Sequence, residues 1–368
     1  MRKFECRCGN ALFFKNSLCV ACQCEVGWCP VCRAIQTLIP DEGQSGYRCG
    51  NPDCLAPLRK CHNYQVEQVC NRCLPAIDLD PSQADVPSSI EATTRAALCD
   101  SCRFNRTIPD LSKPGNREKW ARLEAAKRRV LFGIDLLRLP YGDVDSGLPL
   151  PLSFEFMEDL PPTGRRWHQV GEAEQIYTGH ADGNITINLR EADPVERERA
   201  RVDFNEAQRT LIGHFRHELG HYFWQLLVTE DWLPRFVEAF GDHENPAYGE
   251  ALQLYYEAGP PADWNLSYIS AYASMHPWED FAETFAAYLD MVGMLDTDRY
   301  LAGGEVDPAV ADLPTMVLRY QAISLVANEL TREIGLIDIV PKVFTDPVVQ
   351  KLDFIHQLTR HSSGRLAK

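Results

Sequence analysis

Three histidines fall within eight positions of the run GHFRHELGHYFW (213–224), and two of them, His217 and His221, have the HExxH spacing. On an α-helix, residues i and i+4 differ by about 40° in azimuth and about 6 Å in rise, so both imidazoles reach one metal ion from the same face. Glu218, next to the first ligand, is then placed as a general base for a water whose pKa the metal has lowered. The surrounding TLIGHFRHELGHYFWQLLV has no proline and offers Leu211, Ile212, Phe215, Leu219, Phe223 and Leu226 for packing, which favours a metal-binding helix over two core histidines. His214 lies on the same face but about 10.5 Å of rise from His221, too far to share the ion. It is expected beside the ligands, in the pocket wall, or as an ordinary hydrogen-bonded histidine.

A third ligand must come from elsewhere. The best candidate lies in SAYASMHPWEDFAETFAAYL (270–289), where Pro277 suits a first helical turn and Glu279 and Glu283 sit one turn apart among Trp278, Phe281 and Phe285. Carboxylates buried in such company need a metal or hydrogen-bond donors. Glu279 is expected to bind the metal and Glu283 to orient a ligand histidine. The blander reading has Glu279 and Asp280 complementing the helix dipole, and His243, Glu250, Glu257 and His276 stay open as ligands. Tyr272, seven residues before Glu279, and Tyr268 are candidates to donate to an oxyanion.

All 14 cysteines lie between Cys6 and Cys102, many as CxC or CxxC, which in a reducing compartment points to metal thiolates rather than disulfides. Tetrahedral zinc takes four soft ligands, and two close pairs joined by a hairpin supply them. The natural partition is Cys6, Cys8, Cys19 and Cys22; then Cys29, Cys32, Cys49 and Cys54; then Cys99 and Cys102 with two of Cys61, Cys70 and Cys73, where spacing favours Cys70 and Cys73. Cys24 and Cys61 are the alternative ligands. The ribbons could dock a protein partner; the simpler reading is that zinc folds a stretch lacking a core.

These residues need elements to hold them. Residues 1–110 are rich in Cys, Pro and Gly, with short runs such as ALFF and AIQTLI, and read as a zinc-ribbon domain; 77–99 reads as a surface excursion within it. Residues 111–140 read as a linker helix, because Trp120, Leu123, Val130, Ile134 and Leu137 recur at helical steps before Pro140. Residues 141–368 read as the domain of the histidine helix. In it LSFEFMED alternates, and EQIYTGHADGNITINLRE reads as two strands about Asp182-Gly183, with Asn184, Thr186 and Asn188 on the open face. Helices are expected near 194, 205–228, 277–292, 310–335 and 346–360.

The net charge of −15 disfavours nucleic acid as the main ligand, because phosphate binding needs a basic field. Residues 1–110 balance 12 basic against 12 acidic side chains, so the whole excess of acid lies beyond them. No run approaches the roughly 18 apolar residues of a membrane span, and the first residues lack an apolar targeting core, so a cytoplasmic location with no membrane contact is expected.

HExxH followed on a later helix by a glutamate ligand resembles the gluzincin metallopeptidases, and YASMHPWEDFAE is similar to their lethal-factor-type arrangement. Nearly the full chain, through CRFNRTIPDLS, WARLEAAKRR, GNITINLREAD, RTLIGHFRHELGHYFW and SAYASMHPWEDFAETFAAYL, resembles the bacterial zinc-binding metallopeptidases with an N-terminal zinc ribbon. The resemblance implies His217, His221 and Glu279 as ligands of one catalytic Zn2+, Glu218 as base, and the Asn184, Thr186, Asn188 strand as an edge that a substrate peptide could extend. CPVC with CGNPDC is richer in cysteine than expected for the family. The expected fold is α+β: a multi-zinc ribbon domain with two to three structural zincs, then a zincin-like, mostly helical domain with a small antiparallel-containing sheet. The expected function is zinc-dependent hydrolysis of peptide or protein substrates, by an endopeptidase in preference to an exopeptidase. The alternative is a non-catalytic, zinc-stabilised protein-interaction module.

Overall fold

The front of the chain folds as its short β-branched and aromatic runs require, into hairpins whose turns carry cysteines. Strands β1 (Lys3–Glu5) and β2 (Ala11–Phe13) pair antiparallel, and β3 (Val26–Cys29), β4 (Ala34–Asp41), β5 (Gly46–Cys49), β6 (Pro57–Lys60) and β7 (Cys73–Pro75) form an antiparallel meander in chain order. The one-turn helix α1 (His62–Gln65) precedes β7, and β8 (Asn105–Thr107) leads to α2 (Asn116–Leu137). The computed structural model describes residues 2–41, 46–76, 96–159, 176–203, 208–340 and 344–365. The excursion expected at 77–99 lies, up to residue 95, outside them.

Beyond α2 come β9 (Ser153–Met157), β10 (Gly179–Ala181), β11 (Asn184–Asn188) and then helices: α3 (Pro194–Asp203), α4 (Leu211–Leu227), α5 (Leu233–Phe240), α6 (Tyr248–Ala258), α7 (Pro277–Leu301), α8 (Leu313–Glu333) and α9 (Asp346–Arg365). Two compact units result. The first is Met1–Arg129 with Phe154–Ile176 and Asn188–Asp193; the second is Val130–Ser153 with Tyr177–Ile187 and Pro194–Lys368. No helix among the described residues is long and apolar enough to cross a membrane.

In the first unit cysteine takes the place of an aliphatic core. Cys29, Cys49, Cys61, Cys70, Cys73, Cys99 and Cys102 are buried in one cluster with Leu38, Leu58 and Tyr64. The α2 portion of this unit adds a charged core: Glu124 and Lys127 are fully buried and ion-paired at 2.9 Å, and Glu124 accepts further bonds from Asn105 Nδ2 (2.7 Å) and Trp120 Nε1 (3.2 Å). A buried ion pair is tolerable only when its remaining bonding capacity is met in this way.

In the second unit α4 starts where Thr210 accepts a hydrogen bond from Gly213 N at 2.9 Å, and α7 starts at Pro277 with the His276 ring accepting from Trp278 N at 3.1 Å. Aromatic rings fill the space behind them: Phe223 meets Phe285 at 5.3 Å, and Phe236, Phe240, Phe281 and Phe354 pack among themselves. Lys351 of α9 reaches Asp280 at 2.6 Å and Ser267 O at 2.7 Å, tying α9 to the start of α7. Burial pushes the Asp280 carboxyl up to about 6 even beside this lysine.

The expected hairpin is present, with β10 and β11 antiparallel about Asp182 (φ 48°) and Gly183 (φ 82°), the left-handed pair of a tight two-residue turn. Its open face differs from expectation. Asn184 and Thr186 are half-buried, but Asn188 is buried, donating to Asp159 Oδ1 (2.8 Å) and Ile176 O (2.7 Å) and accepting from Arg190 N to cap the following turn. Nor is β11 an edge: β10 is the outer strand, while Ser153, at the start of β9, bonds Gly183 O and Asn184 on the other side.

The closest helix approach explains the glycine inside HELGH. A Cβ on Gly220 would lie 2.7 Å from Ala282 Cα and 3.0 Å from its carbonyl oxygen. Gly220→Ala is expected to destabilise the protein by about 1–3 kcal/mol through overpacking, without recovery in Gly220→Ala/Ala282→Gly, because the closest atoms are the Ala282 backbone. Chemical denaturation of the three proteins checks this; wild-type stability for the single variant would contradict it.

Candidate metal centres

Four groups of side chains converge at ligand distances among the described residues: Cys6, Cys8, Cys19 and Cys22; Cys29, Cys32, Cys49 and Cys54; Cys61, Cys70, Cys99 and Cys102; and His217, His221 and Glu279. The sulfurs test the fit to zinc. Zn–S bonds of about 2.3 Å in a tetrahedron put neighbouring sulfurs about 3.8 Å apart. The structure has Cys6 and Cys22 at 3.6 Å, Cys8 and Cys19 at 3.7 Å, Cys29 and Cys54 at 3.8 Å, Cys32 and Cys49 at 3.7 Å, and Cys70 and Cys99 at 3.7 Å, all as free thiols.

The backbone fits as well. Gly9, Gln23, Arg33 and Leu55, which directly follow Cys8, Cys22, Cys32 and Cys54, have φ of 81°, 59°, 52° and 47°. Three of these are not glycine, and the left-handed region costs such residues roughly 1–2 kcal/mol. Turns of this kind point successive amides at the preceding sulfur, which suits a thiolate carrying charge.

The third group departs from the spacing argument. Cys61, ahead of α1, joins Cys70, Cys99 and Cys102, whereas Cys73 stands outside. The reason is strand alternation: Cys73 pairs with Lys60 in β7, and its sulfur packs 3.2 Å from where a Cβ on Gly27 would sit. Cys24 also lies outside the groups, where Arg7 Nη2 donates to its sulfur at 2.8 Å. Under the third group, Cys102 Sγ lies 3.9 Å from Glu124 Oε2, and Arg128, 3.8 Å from the same oxygen, donates to Val69 O at 3.0 Å.

The fourth group is built by α4 and α7 together. His217 Nε2 and His221 Nε2 are 3.1 Å apart, and Glu279 Oε2 lies 3.1 Å from the first and 3.4 Å from the second. Donors about 2.0–2.1 Å from a tetrahedral zinc stand about 3.3 Å apart. Three further observations fit a cation. Glu283 Oε1 accepts from His217 Nδ1 at 2.6 Å, which leaves the Nε2 lone pair of a neutral ring facing the group; Ser270 Oγ holds the other Glu283 oxygen at 2.7 Å. Glu279 Oε2 is buried with no donor aligned on it, and Tyr248 OH donates to Glu279 Oε1 at 2.8 Å.

The charges of the group are mutually dependent. Burial works against a charged His217, but Glu279 and Glu283 outweigh it and hold its pKa well above the ordinary value. Burial would raise Glu279 too, yet His221 and His217 hold it below the usual carboxylate range. Glu218 is buried next to them, and there burial prevails and pushes its carboxyl up, tempered by His217 and His221.

Other candidates fall at different distances from this group. The Tyr272 ring is 6.1 Å from that of His217. Tyr268 instead packs under Lys351, whose Nζ is 4.2 Å from the ring centre, because α9 delivers that lysine to Asp280. His214 sits one turn before Glu218 and is not in the converging group. His276 caps α7 and bonds His243 O at 3.1 Å, and the His243 ring packs on Trp224; Glu250 and Glu257 are exposed on α6. Tyr248 and Ser270 were not singled out by sequence. Tyr248 leaves one signal there, the inward stripe Tyr248, Ala251, Tyr255 on α6.

Exchanging the two ambiguous cysteines tests the third group. Cys61→Ser is expected to lose one zinc per chain and to destabilise the first unit, whereas Cys73→Ser retains the wild-type zinc content in elemental analysis. The opposite result would restore Cys73 as the ligand.

Comparison with known proteins agrees with both halves of this geometry. Residues 3–113 match a zinc-ribbon domain model, and residues 116–358 match the family described as "Putative zinc-binding metallo-peptidase". Relatives from Mycobacterium bovis and from two strains of Mycobacterium tuberculosis, each called an uncharacterized protein, are 33% identical over 367 residues, covering 97% of this chain and 94% of theirs. No solved structure matches the chain. With a model spanning most of its length and relatives aligned nearly end to end, the chain belongs to this zinc-binding metallo-peptidase family.

Proposed function

We propose that the second unit is a gluzincin-type endopeptidase whose single catalytic zinc is held by His217, His221 and Glu279, with Glu218 as general base. The observation that carries it is the meeting of His217 Nε2, His221 Nε2 and Glu279 Oε2 within 3.1–3.4 Å of one another, with Glu218 buried alongside. When bound, zinc supplies Lewis acidity, lowering the pKa of water and polarising a peptide carbonyl.

The protein's own groups do the rest. Glu218, with its affinity for protons raised by burial, takes one from the attacking water and returns it to the leaving amine. Glu283 and Ser270 hold the His217 ring in one orientation and one tautomer. Tyr272, beside His217, donates to the carbonyl oxygen as negative charge develops there. The three cysteine groups serve as structural zinc sites that fold a ribbon domain lacking a large core of its own.

Glu218→Gln tests this. It is expected to keep its full zinc content and to lose about 10²–10⁴-fold in the rate of peptide-bond cleavage, read by proteomic identification of new N-termini in a cell extract incubated with each protein. Undiminished cleavage by the variant would refute Glu218 as base; no wild-type cleavage at all would favour the interaction-module reading.

A further inference from the structure

Glu279 uses its two oxygens differently. Oε2 faces both ligand nitrogens and has no aligned donor, whereas Oε1 accepts from Tyr248 OH at 2.8 Å. Tyr248 belongs neither to α4 nor to α7. It is the first residue of α6, a helix in which Ala251 is the one fully buried side chain. The Tyr248 ring is set against His276 at 5.3 Å and Trp278 at 5.7 Å, residues at the start of α7, so its hydroxyl has little freedom to leave Glu279. Tyr255, two turns further along α6, packs its ring on Tyr272 at 5.9 Å.

We propose that Tyr248 is a positioning residue. By occupying Oε1 it leaves Oε2 as the Glu279 oxygen that would ligate zinc, and couples the docking of α6 to that ligand. A carboxylate free to rotate would fix that donor less well.

This inference rests on the metal assignment above but not on peptide cleavage, so the test reads zinc directly. Full-length wild type, Tyr248→Phe, Tyr272→Phe and the His217→Ala/His221→Ala double variant are titrated with a competing chelator, the double variant identifying which zinc is the catalytic one. Tyr248→Phe is expected to weaken that zinc by about tenfold or more with the ribbon zincs unchanged, and to speed amide hydrogen exchange across 248–258. Tyr272→Phe is expected to hold zinc as wild type does. Wild-type affinity in Tyr248→Phe, or equal weakening in Tyr272→Phe, overturns the proposal. If the double variant lacks no zinc that wild type holds, the metal assignment itself falls and takes this proposal with it.

Discussion

Glu279, Glu218 and His221 are buried, with the His221 ring 4.4 Å from that of Trp278, where water cannot compensate their charges, and a missing charge partner there costs several kcal/mol. Two imidazole nitrogens and a carboxylate oxygen meet within 3.1–3.4 Å, and a positive charge, a proton or a metal ion, must lie among them to offset their repulsion. That constraint shapes the second unit. The helices must cross closely enough for Glu279 to reach both imidazoles, which leaves no room for a side chain at Gly220. The aromatic layer of Phe223, Phe281 and Phe285 fixes the crossing, and Lys351 neutralises Asp280, the carboxylate next to Glu279 that points away from the histidines.

The first unit solves a related problem with sulfur. Its strands are too short to bury an aliphatic core, and the cysteines that fill the interior are pulled together in fours. Positive φ at Gln23, Arg33 and Leu55 opposes folding, and cross-linking by metal offsets it. Glu124, Lys127 and Arg128 extend this polar interior into α2, so a helix that looks amphipathic in sequence carries a charged network where a leucine face would be expected.

Much of this is legible in the residues alone, for reasons of period. The i, i+4 spacing of His217 and His221 and of Glu279 and Glu283 is a property of single helices, and so are the start of α7 and the end of α4, whereas α7 runs to Leu301, past the expected 292, and α4 starts at Leu211 rather than 205. What is not legible depends on a partner arriving from far along the chain. Tyr248 reaches Glu279 from 31 residues upstream on another helix, and Lys351 claims Tyr268 from α9. Alternation misleads at Asn188, where the strand ends and the side chain turns in to cap the next element, and at Cys73, where the CxxC spacing points to a ligand but the strand register points its sulfur at Gly27.

The most direct measurement is an anomalous difference map at the zinc edge from crystals of the full-length protein. The account predicts four peaks per chain, three inside the cysteine groups and the fourth about 2.0–2.1 Å from His217 Nε2, His221 Nε2 and Glu279 Oε2, with Glu279 Oε1 still bonded to Tyr248. An absent fourth peak, or a fourth zinc with Glu279 turned away from both imidazoles, would contradict it.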